Sequence, residues 1–169
     1  TPFVFMTYAN VVFHYGIEEF CARAAEVGVD GLILPDVPFE EKEEFAGPCR
    51  AHGMDLISMI APTSEERIDT IARDAEGFIY CVSSLGVTGT RSSITTDLDS
   101  IVARIRAVTD TPIAIGFGIS NSEQAAIMAT KSDGAIVGSA IVKIIAAEGE
   151  NAVLTVGEFA RKMVEAVRA

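Results

Sequence analysis

Two glycine-rich segments near the end of the chain, IGFGIS (residues 115–120) and IVGSAIVKII (residues 136–145), decide the fold. Each follows a short apolar run with strand character and leads directly into a stretch that reads as a helix. Glycine lets the backbone come close to a ligand, and the exposed N–H groups of a helix start attract an anion. In an eight-stranded α/β barrel, the loops after the last two strands form the usual phosphate site. The two junctions therefore predict a phosphate site and favour a barrel.

The bulk composition narrows the class of protein. The chain has 169 residues, enough for one domain with a substantial core. No apolar run approaches the ~20 residues that would span a bilayer, and the net charge of −11 argues against a nucleic-acid partner. Cys21, Cys49 and Cys81 are far apart along the sequence and have no metal-type spacing. This predicts buried thiols in a reducing cytosol and no metal site.

Strand-like and helix-like segments alternate along the whole chain, which predicts a parallel sheet covered by helices. The six predicted strands are residues 2–8, 31–36, 55–62, 77–83, 112–118 and 134–139. The predicted helices are residues 15–28, 40–52, 63–74, 98–109, a helix that a capping box at 120–123 introduces, 140–147 and 152–167. No G-x-G-x-x-G follows the first strand, and the glycine junctions come late, so a barrel is favoured over a doubly wound sheet.

A weak internal repeat supports this division into elements. Asp30-Gly31, Glu76-Gly77 and Asp133-Gly134 each set an acidic residue and a glycine before an apolar strand. A barrel of this type has eight strands in ~250 residues. The chain opens abruptly at Thr1-Pro2, so we expect two N-terminal strand–helix units to be missing. Residues 1–169 would then form a single partial barrel domain, strands three to eight of the complete fold.

The residues at the carboxyl ends of the predicted strands are candidates for the site. The amides near Gly118 and at Gly138 and Ser139, with the Ser139 hydroxyl, suit one phosphate; the alternative is a pair of tight strand–helix turns. The long loop 84–97 reads as a lid or as a disordered connection, and its Gly89 is a further candidate to approach the same phosphate. Tyr8 and Tyr80 suit either an aromatic pocket or simple core lining.

The other candidates suit contacts or caps better than catalysis. Asp36 follows a predicted strand and could meet a ligand, although capping the next helix or contacting a partner is favoured. His14 and His52 read as surface residues, and no nucleophile–His–Asp set or metal cluster is evident.

Five segments together resemble the tryptophan synthase α subunit family. They are TYANVVFHYGIEEF (7–20), GLILPDVPFEE (31–41), SSLGVTGTR (83–91), GFGISNSEQ (116–124) and GSAIVKII (138–145), and the match follows the family in order over the full length. The resemblance implies a (β/α)8 barrel that cleaves indole-3-glycerol phosphate into indole and glyceraldehyde 3-phosphate. This retro-aldol step needs no cofactor in the α subunit, and it uses a carboxylic acid and a carboxylate as an acid–base pair.

The resemblance also implies a role for each matching residue. The phosphate would be bound by Gly89, Phe117, Gly118, Gly138 and Ser139. Tyr8 and Tyr80 would line the indole pocket, and Thr88 would sit on the lid. Asn10, His14 and Asp36 would look toward a β subunit that carries pyridoxal phosphate.

One departure from the family limits what we expect of this chain. The family's catalytic glutamate and aspartate lie on and just after the second barrel strand, upstream of Thr1, so no catalytic residue is assigned here. We expect no lyase activity from this chain alone, and self-association through the open edges at residues 3–8 and 134–138. The alternatives are a non-catalytic phosphate-binding or scaffold module, and a stand-alone barrel lyase or isomerase.

Overall fold

Strands and helices alternate along the chain, as the sequence predicts. The computed structural model describes residues 1–64, 66–83, 98–116 and 118–168. Its strands are β1 Val4–Met6, β2 Gly31–Ile33, β3 Asp55–Leu56, β4 Ser58–Ile60, β5 Ile79–Val82, β6 Ile113–Gly116 and β7 Gly134–Ala135. Its α-helices are α1 Ala9–Tyr15, α2 Ile17–Glu26, α3 Glu43–Ala51, α4 Ile68–Arg73, α5 Leu98–Arg106, α6 Ser122–Ala129, α7 Ser139–Glu148 and α8 Ala152–Arg168.

All the paired strands are parallel, and they follow one another in chain order. The predicted third strand divides at Ile57, because its two halves have different neighbours. β3 pairs with β2, and the Ile57 N–H donates to the Leu32 carbonyl (2.9 Å), whereas β4 pairs with β5. The strands together therefore form a wall of two sheets, β1-β2-β3 and β4-β5-β6-β7. The expectation of one continuous third strand is wrong.

Apolar side chains pack on both faces of this wall. One buried cluster joins α1, α2 and α3 to the first sheet, and a larger one joins α4, α5, α6 and α8 to the second. A third cluster contains Ile33, Ile57, Tyr80 and Val82, with Val4 and Ile136 packed against it. Burial on both faces explains why the strands are apolar runs and not alternating ones. The fold is thus a partial α/β barrel with helices outside, as predicted.

Several helix starts differ from the predicted ones. Residues 9–15 form the separate helix α1, and Gly16, with φ of +98°, divides it from α2. The first turn predicted at residues 63–64 is 3₁₀, and α4 begins only at Ile68. The α6 cap is Asn121, whose side-chain oxygen accepts the Gln124 N–H (2.9 Å). The capping pair is therefore one residue later than the predicted box at 120–123.

The strand β1 is the least covered of the wall. Phe3, Phe5 and Met6 expose 66%, 45% and 50% of their surface, and β2 is the partner of β1 among the described residues. An unpaired apolar edge is a template for association. None of the helices in the described part of the chain is long and apolar enough to cross a membrane.

Candidate functional site

The glycine junctions after β6 and β7 lie at the same edge of the second sheet. The two strands are parallel neighbours, with Ala114 opposite Gly134 and Ile115 opposite Ala135. Gly118 follows β6 with φ of +81°, and Gly138 precedes the first residue of α7, Ser139. Because the first amides of a helix have no acceptor within that helix, the start of α7 presents donors to an anion.

The surface at these junctions is accessible. Gly118, Gly138 and Ser139 are all exposed, and a methyl group built at Gly118 or at Gly138 would meet no atom within 4 Å. The open space is compatible with a ligand group beside the backbone. The structure thus brings three of the five predicted phosphate residues to one edge of the sheet, and their role stays a prediction.

Gly116, the last residue of β6, is tightly packed, unlike the open junction that follows it. A methyl group there would come within 2.5 Å of the Tyr80 hydroxyl oxygen and 2.7 Å of two ring carbons. The ring of Tyr80 therefore occupies the space that a side chain at 116 would need. The glycine-rich pattern was the available signal for Gly116, but it did not reveal which ring the glycine accommodates.

The two predicted pocket tyrosines differ in their surroundings. Tyr80 is 6% exposed within the cluster of Ile33, Ile57 and Val82, and burial raises its pKa above the ordinary value. Tyr8 is 63% exposed, and it precedes α1, where its carbonyl accepts the Val11 N–H (3.1 Å). Tyr80 is thus part of the packed interior, whereas Tyr8 lies at the open side of the wall. Their shared role as an indole pocket stays a prediction.

The three residues predicted to face a partner come together in one open groove. Asn10 and His14 on α1 and Asp36 in the loop after β2 line a cavity of about 550 Å³. Glu41, Glu44 and the buried Phe45 are among the other residues that line it. All three predicted residues are exposed. The structure thus groups the three predicted residues, while their role toward a partner stays a prediction, and it adds two acidic side chains that the sequence did not indicate, Glu41 from the 3₁₀ turn before α3 and Glu44 from α3.

Asp36 caps a helix, as the sequence suggests, but the helix is a different one from the helix expected. Both of its carboxylate oxygens accept the backbone N–H of Ala9, at 3.0 and 3.1 Å. Ala9 is the first residue of α1, so the side chain caps this helix from a loop 27 residues later in the chain. The expectation of a cap on the following helix is wrong, because the loop after β2 passes beside the start of α1.

A second cavity, of about 380 Å³, lies where the third strand changes partner. Leu34, Ile57, Met59 and Val82 are among its lining residues, together with the cationic side chains of Lys42 and Arg67. Both cations are already paired, since Lys42 contacts Asp74 and Arg67 donates to the Glu40 carboxylate at 2.9 and 3.1 Å. We therefore assign no anion site to this cavity.

Three predicted site residues, Thr88, Gly89 and Phe117, lie outside the described residues. Among residues 1–64, 66–83, 98–116 and 118–168, no group of three His, Cys, Asp or Glu side chains is placed to hold a metal ion.

The comparisons with known proteins agree on one family. The family model described as "Tryptophan synthase alpha chain" matches residues 1–168. The tryptophan synthase alpha chain of Alkaliphilus metalliredigens is 48% identical over 166 residues, which cover 97% of this chain and 62% of that protein. The one from Methanosarcina mazei is 51% identical over 146 residues, 85% of this chain and 53% of the relative.

Solved structures show the same likeness. Mycobacterium tuberculosis tryptophan synthase superposes with a TM-score of 0.86 at 34% identity, covering 99% of this chain and 63% of that one. A chain from the structure of the Pyrococcus furiosus tryptophan synthase a2b2 complex gives a TM-score of 0.85 at 33% identity, with 98% and 67% covered. The chain spans about three-fifths of the length of its first curated relatives. It belongs to the tryptophan synthase alpha chain family.

Proposed function

We propose that this chain supplies the phosphate-binding and partner-facing parts of a tryptophan synthase α subunit. That subunit would cleave indole-3-glycerol phosphate into indole and glyceraldehyde 3-phosphate. The observation that carries the proposal is the match of residues 1–168 to the family, joined to the two glycine junctions at one edge of the second sheet.

The phosphate of the substrate would lie between the junctions after β6 and β7. The amides at Gly138 and Ser139 would donate to its oxygens, because the helix start carries partial positive charge. The Ser139 hydroxyl would add a donor, and the backbone at Gly118 would approach from the neighbouring junction. Gly89 and Phe117 belong to the same proposed set, and Thr88 to the proposed lid.

The acid–base pair would not come from these residues. The family resemblance assigns it to none of the residues matched here, and Asp36 is engaged with the Ala9 N–H. We therefore propose that residues 1–169 bind the substrate phosphate and do not supply the acid–base pair. The α-subunit step would need no cofactor.

The partner would be a β subunit that carries pyridoxal phosphate. Support comes from the likeness to a chain of the Pyrococcus furiosus a2b2 complex and from the groove lined by Asn10, His14 and Asp36. A cytoplasmic location also stays a prediction, based on the free cysteines.

Calorimetric titration of the 169-residue protein with indole-3-glycerol phosphate tests the binding part. We expect Ser139→Ala to weaken binding about tenfold, since a hydrogen bond to a charged group contributes about 1.5 kcal/mol. Ser122→Ala is the matched control, because Ser122 is the first residue of α6 at the neighbouring junction. Equal affinity in the two variants would contradict the phosphate assignment. Release of glyceraldehyde 3-phosphate by this chain alone would contradict the proposed division of the site.

Two alternatives predict other outcomes of the same experiments. A scaffold module would bind inorganic phosphate as well as the full substrate and would not respond to a β subunit. A stand-alone lyase would turn over without one. Binding that strengthens when a relative's β subunit is added favours the α-subunit assignment over both.

We also propose that the open edge at β1 makes the chain self-associate. Phe3, Phe5 and Met6 leave an apolar surface, and among the described residues β1 pairs with β2 on one side only. Sedimentation velocity should show dimers or larger species that Phe5→Lys reduces. Ile127→Lys, at a similarly exposed apolar position on α6, is the control. A clean monomer at all concentrations contradicts this proposal.

A further inference from the structure

Two cysteines on neighbouring helices face each other in the buried layer behind the first sheet. The sulfur of Cys21 on α2 lies 3.7 Å from the sulfur of Cys49 on α3, and neither residue exposes any surface. Both belong to the cluster that packs α1, α2 and α3 against the first sheet. The two thiols are therefore held together by the packing of two separate helices.

This separation is short enough for a disulfide after a small movement. A disulfide joins its sulfurs at roughly 2.05 Å, so the gap of 3.7 Å must close by about 1.7 Å. Rotation of the two short side chains shares that change between them. The helices need not move far, because α2 and α3 pack in the same cluster.

The third cysteine offers an internal comparison. Cys81 lies on β5 in the cluster of the second sheet, and it is also fully buried. It belongs to a different part of the core from Cys21 and Cys49. Burial and residue type are thus shared by all three thiols, and proximity to a second sulfur distinguishes the pair.

We propose that Cys21 and Cys49 form a reversible disulfide under oxidising conditions, which cross-links α2 to α3. The oxidant is a low-molecular-weight disulfide such as oxidised glutathione. One cysteine thiolate attacks this disulfide and releases one glutathione thiol, and the second cysteine thiolate then attacks the mixed disulfide and releases the other. The protein loses two hydrogen atoms as two protons and two electrons, and the oxidant is reduced to two thiols.

The burial of both sulfurs controls how the reaction proceeds. Burial raises the pKa of both thiols, that of Cys49 to about 12, so little reactive thiolate is present in the closed protein. Oxidation therefore follows transient opening of α2 from α3, and the product is shielded once the helices close. Such a bond forms slowly and persists when formed.

The cross-link would constrain the part of the chain that carries the open groove. It joins residues 28 positions apart, and the enclosed segment contains Asp36, Glu41, Glu44 and Phe45 of that groove. Restricting the freedom of the unfolded chain in this way stabilises the folded state. The proposal does not rest on the proposed function, because it concerns the packing of α2 on α3 alone.

Incubation of the complete 169-residue protein in oxidised and reduced glutathione mixtures tests the proposal. We expect an intramolecular product that is lighter by two hydrogen atoms, one remaining thiol of three, and a proteolytic peptide pair joined through Cys21 and Cys49. The midpoint temperature of thermal unfolding, measured by circular dichroism, should rise by several degrees on oxidation and fall back on reduction.

Single variants separate the pair from general thiol oxidation. Cys21→Ser and Cys49→Ser should lose the intramolecular product, and Cys81→Ser should keep it. Cys21→Ala and Cys49→Ala serve where a buried hydroxyl impairs folding. Retention of all three thiols by folded wild-type protein, a cross-link through Cys81, or an intramolecular product in either Cys21 variant overturns the proposal.

Discussion

The carboxylate of Asp133 accepts a hydrogen bond from the backbone N–H of Ile113 at 2.7 Å, and the Asp133 N–H donates to the Ile113 carbonyl at 2.9 Å. The same reciprocal pair joins Asp30 to Phe3, with both bonds at 2.7 Å. In each case the acidic residue before one strand holds the start of the preceding parallel strand. The acidic-glycine repeat thus has a physical meaning at two of its three sites, since it sets the register of neighbouring strands.

Replacing Asp133 should make the protein less sensitive to acid. The hydrogen bond from Ile113, followed by that from Arg106, lowers the pKa of Asp133 below its ordinary 3.8. A lowered pKa in the folded state means that the stabilisation is present above pH ~4 and is lost as the pH falls through the folded value. Asp133→Ala should reduce the free energy of unfolding by about 1 kcal/mol at pH 7 and flatten its decline below pH 4. Urea unfolding from pH 7 to pH 2.5 measures both effects, and a parallel decline in wild type and variant contradicts the assignment.

A side chain at Gly116 should be poorly tolerated because the ring of Tyr80 fills its space. The methyl group of Gly116→Ala would meet the Tyr80 hydroxyl oxygen at 2.5 Å and two ring carbons at 2.7 Å, so we expect a loss of about 1–3 kcal/mol in the free energy of unfolding. Gly134→Ala is the matched control on β7, since its nearest neighbour would be the Ala114 side chain at 3.9 Å. Denaturant unfolding compares the two, and an equal loss in both would show that Tyr80 is not the cause. The loss should shrink when Gly116→Ala is combined with Tyr80→Leu.

Removing the Asp36 carboxylate should weaken the start of α1. Asp36→Ala deletes both acceptors of the Ala9 N–H, and loss of a helix cap costs about 1 kcal/mol. Asp36→Asn keeps one acceptor oxygen and should retain most of the stability. Amide hydrogen exchange in α1 reports the change locally. If α1 exchanges at the same rate in wild type and Asp36→Ala, the cap is unimportant, and any effect on partner binding is direct.

Buried thiols should make the protein lose stability in alkali. Burial raises the pKa of Cys49 to about 12 and that of Cys81 to about 11, from an ordinary 9.0. The stabilisation is complete below pH 9 and is lost as the pH rises toward the folded values, because only the unfolded thiols ionise there. Cys81→Ala should show a shallower decline between pH 8 and 10 than wild type in urea unfolding. Cys81 is used because it lies apart from the Cys21–Cys49 pair, and an unchanged slope would contradict the burial effect.

Much of the fold could be predicted because the signals are local. The apolar runs, the glycines at 118 and 138 and the alternation of strand and helix each depend on a few adjacent residues. The family resemblance predicted that Asn10, His14 and Asp36 face a partner, and that role stays a prediction, whereas their grouping around one groove is visible only in the structure. The α6 cap was predicted one residue too early, because Ser120, Asn121 and Ser122 are all favourable capping residues.

The sequence by itself determined the order and type of the elements and the placement of the glycine junctions, because backbone preference and apolar periodicity are properties of neighbouring residues. The tertiary structure alone decided which distant groups meet. It brings Asp36 to the start of α1, packs Tyr80 against Gly116, divides the third strand at Ile57 and sets Cys21 beside Cys49. Such contacts depend on how helices and strands pack in three dimensions, and no local pattern specifies them.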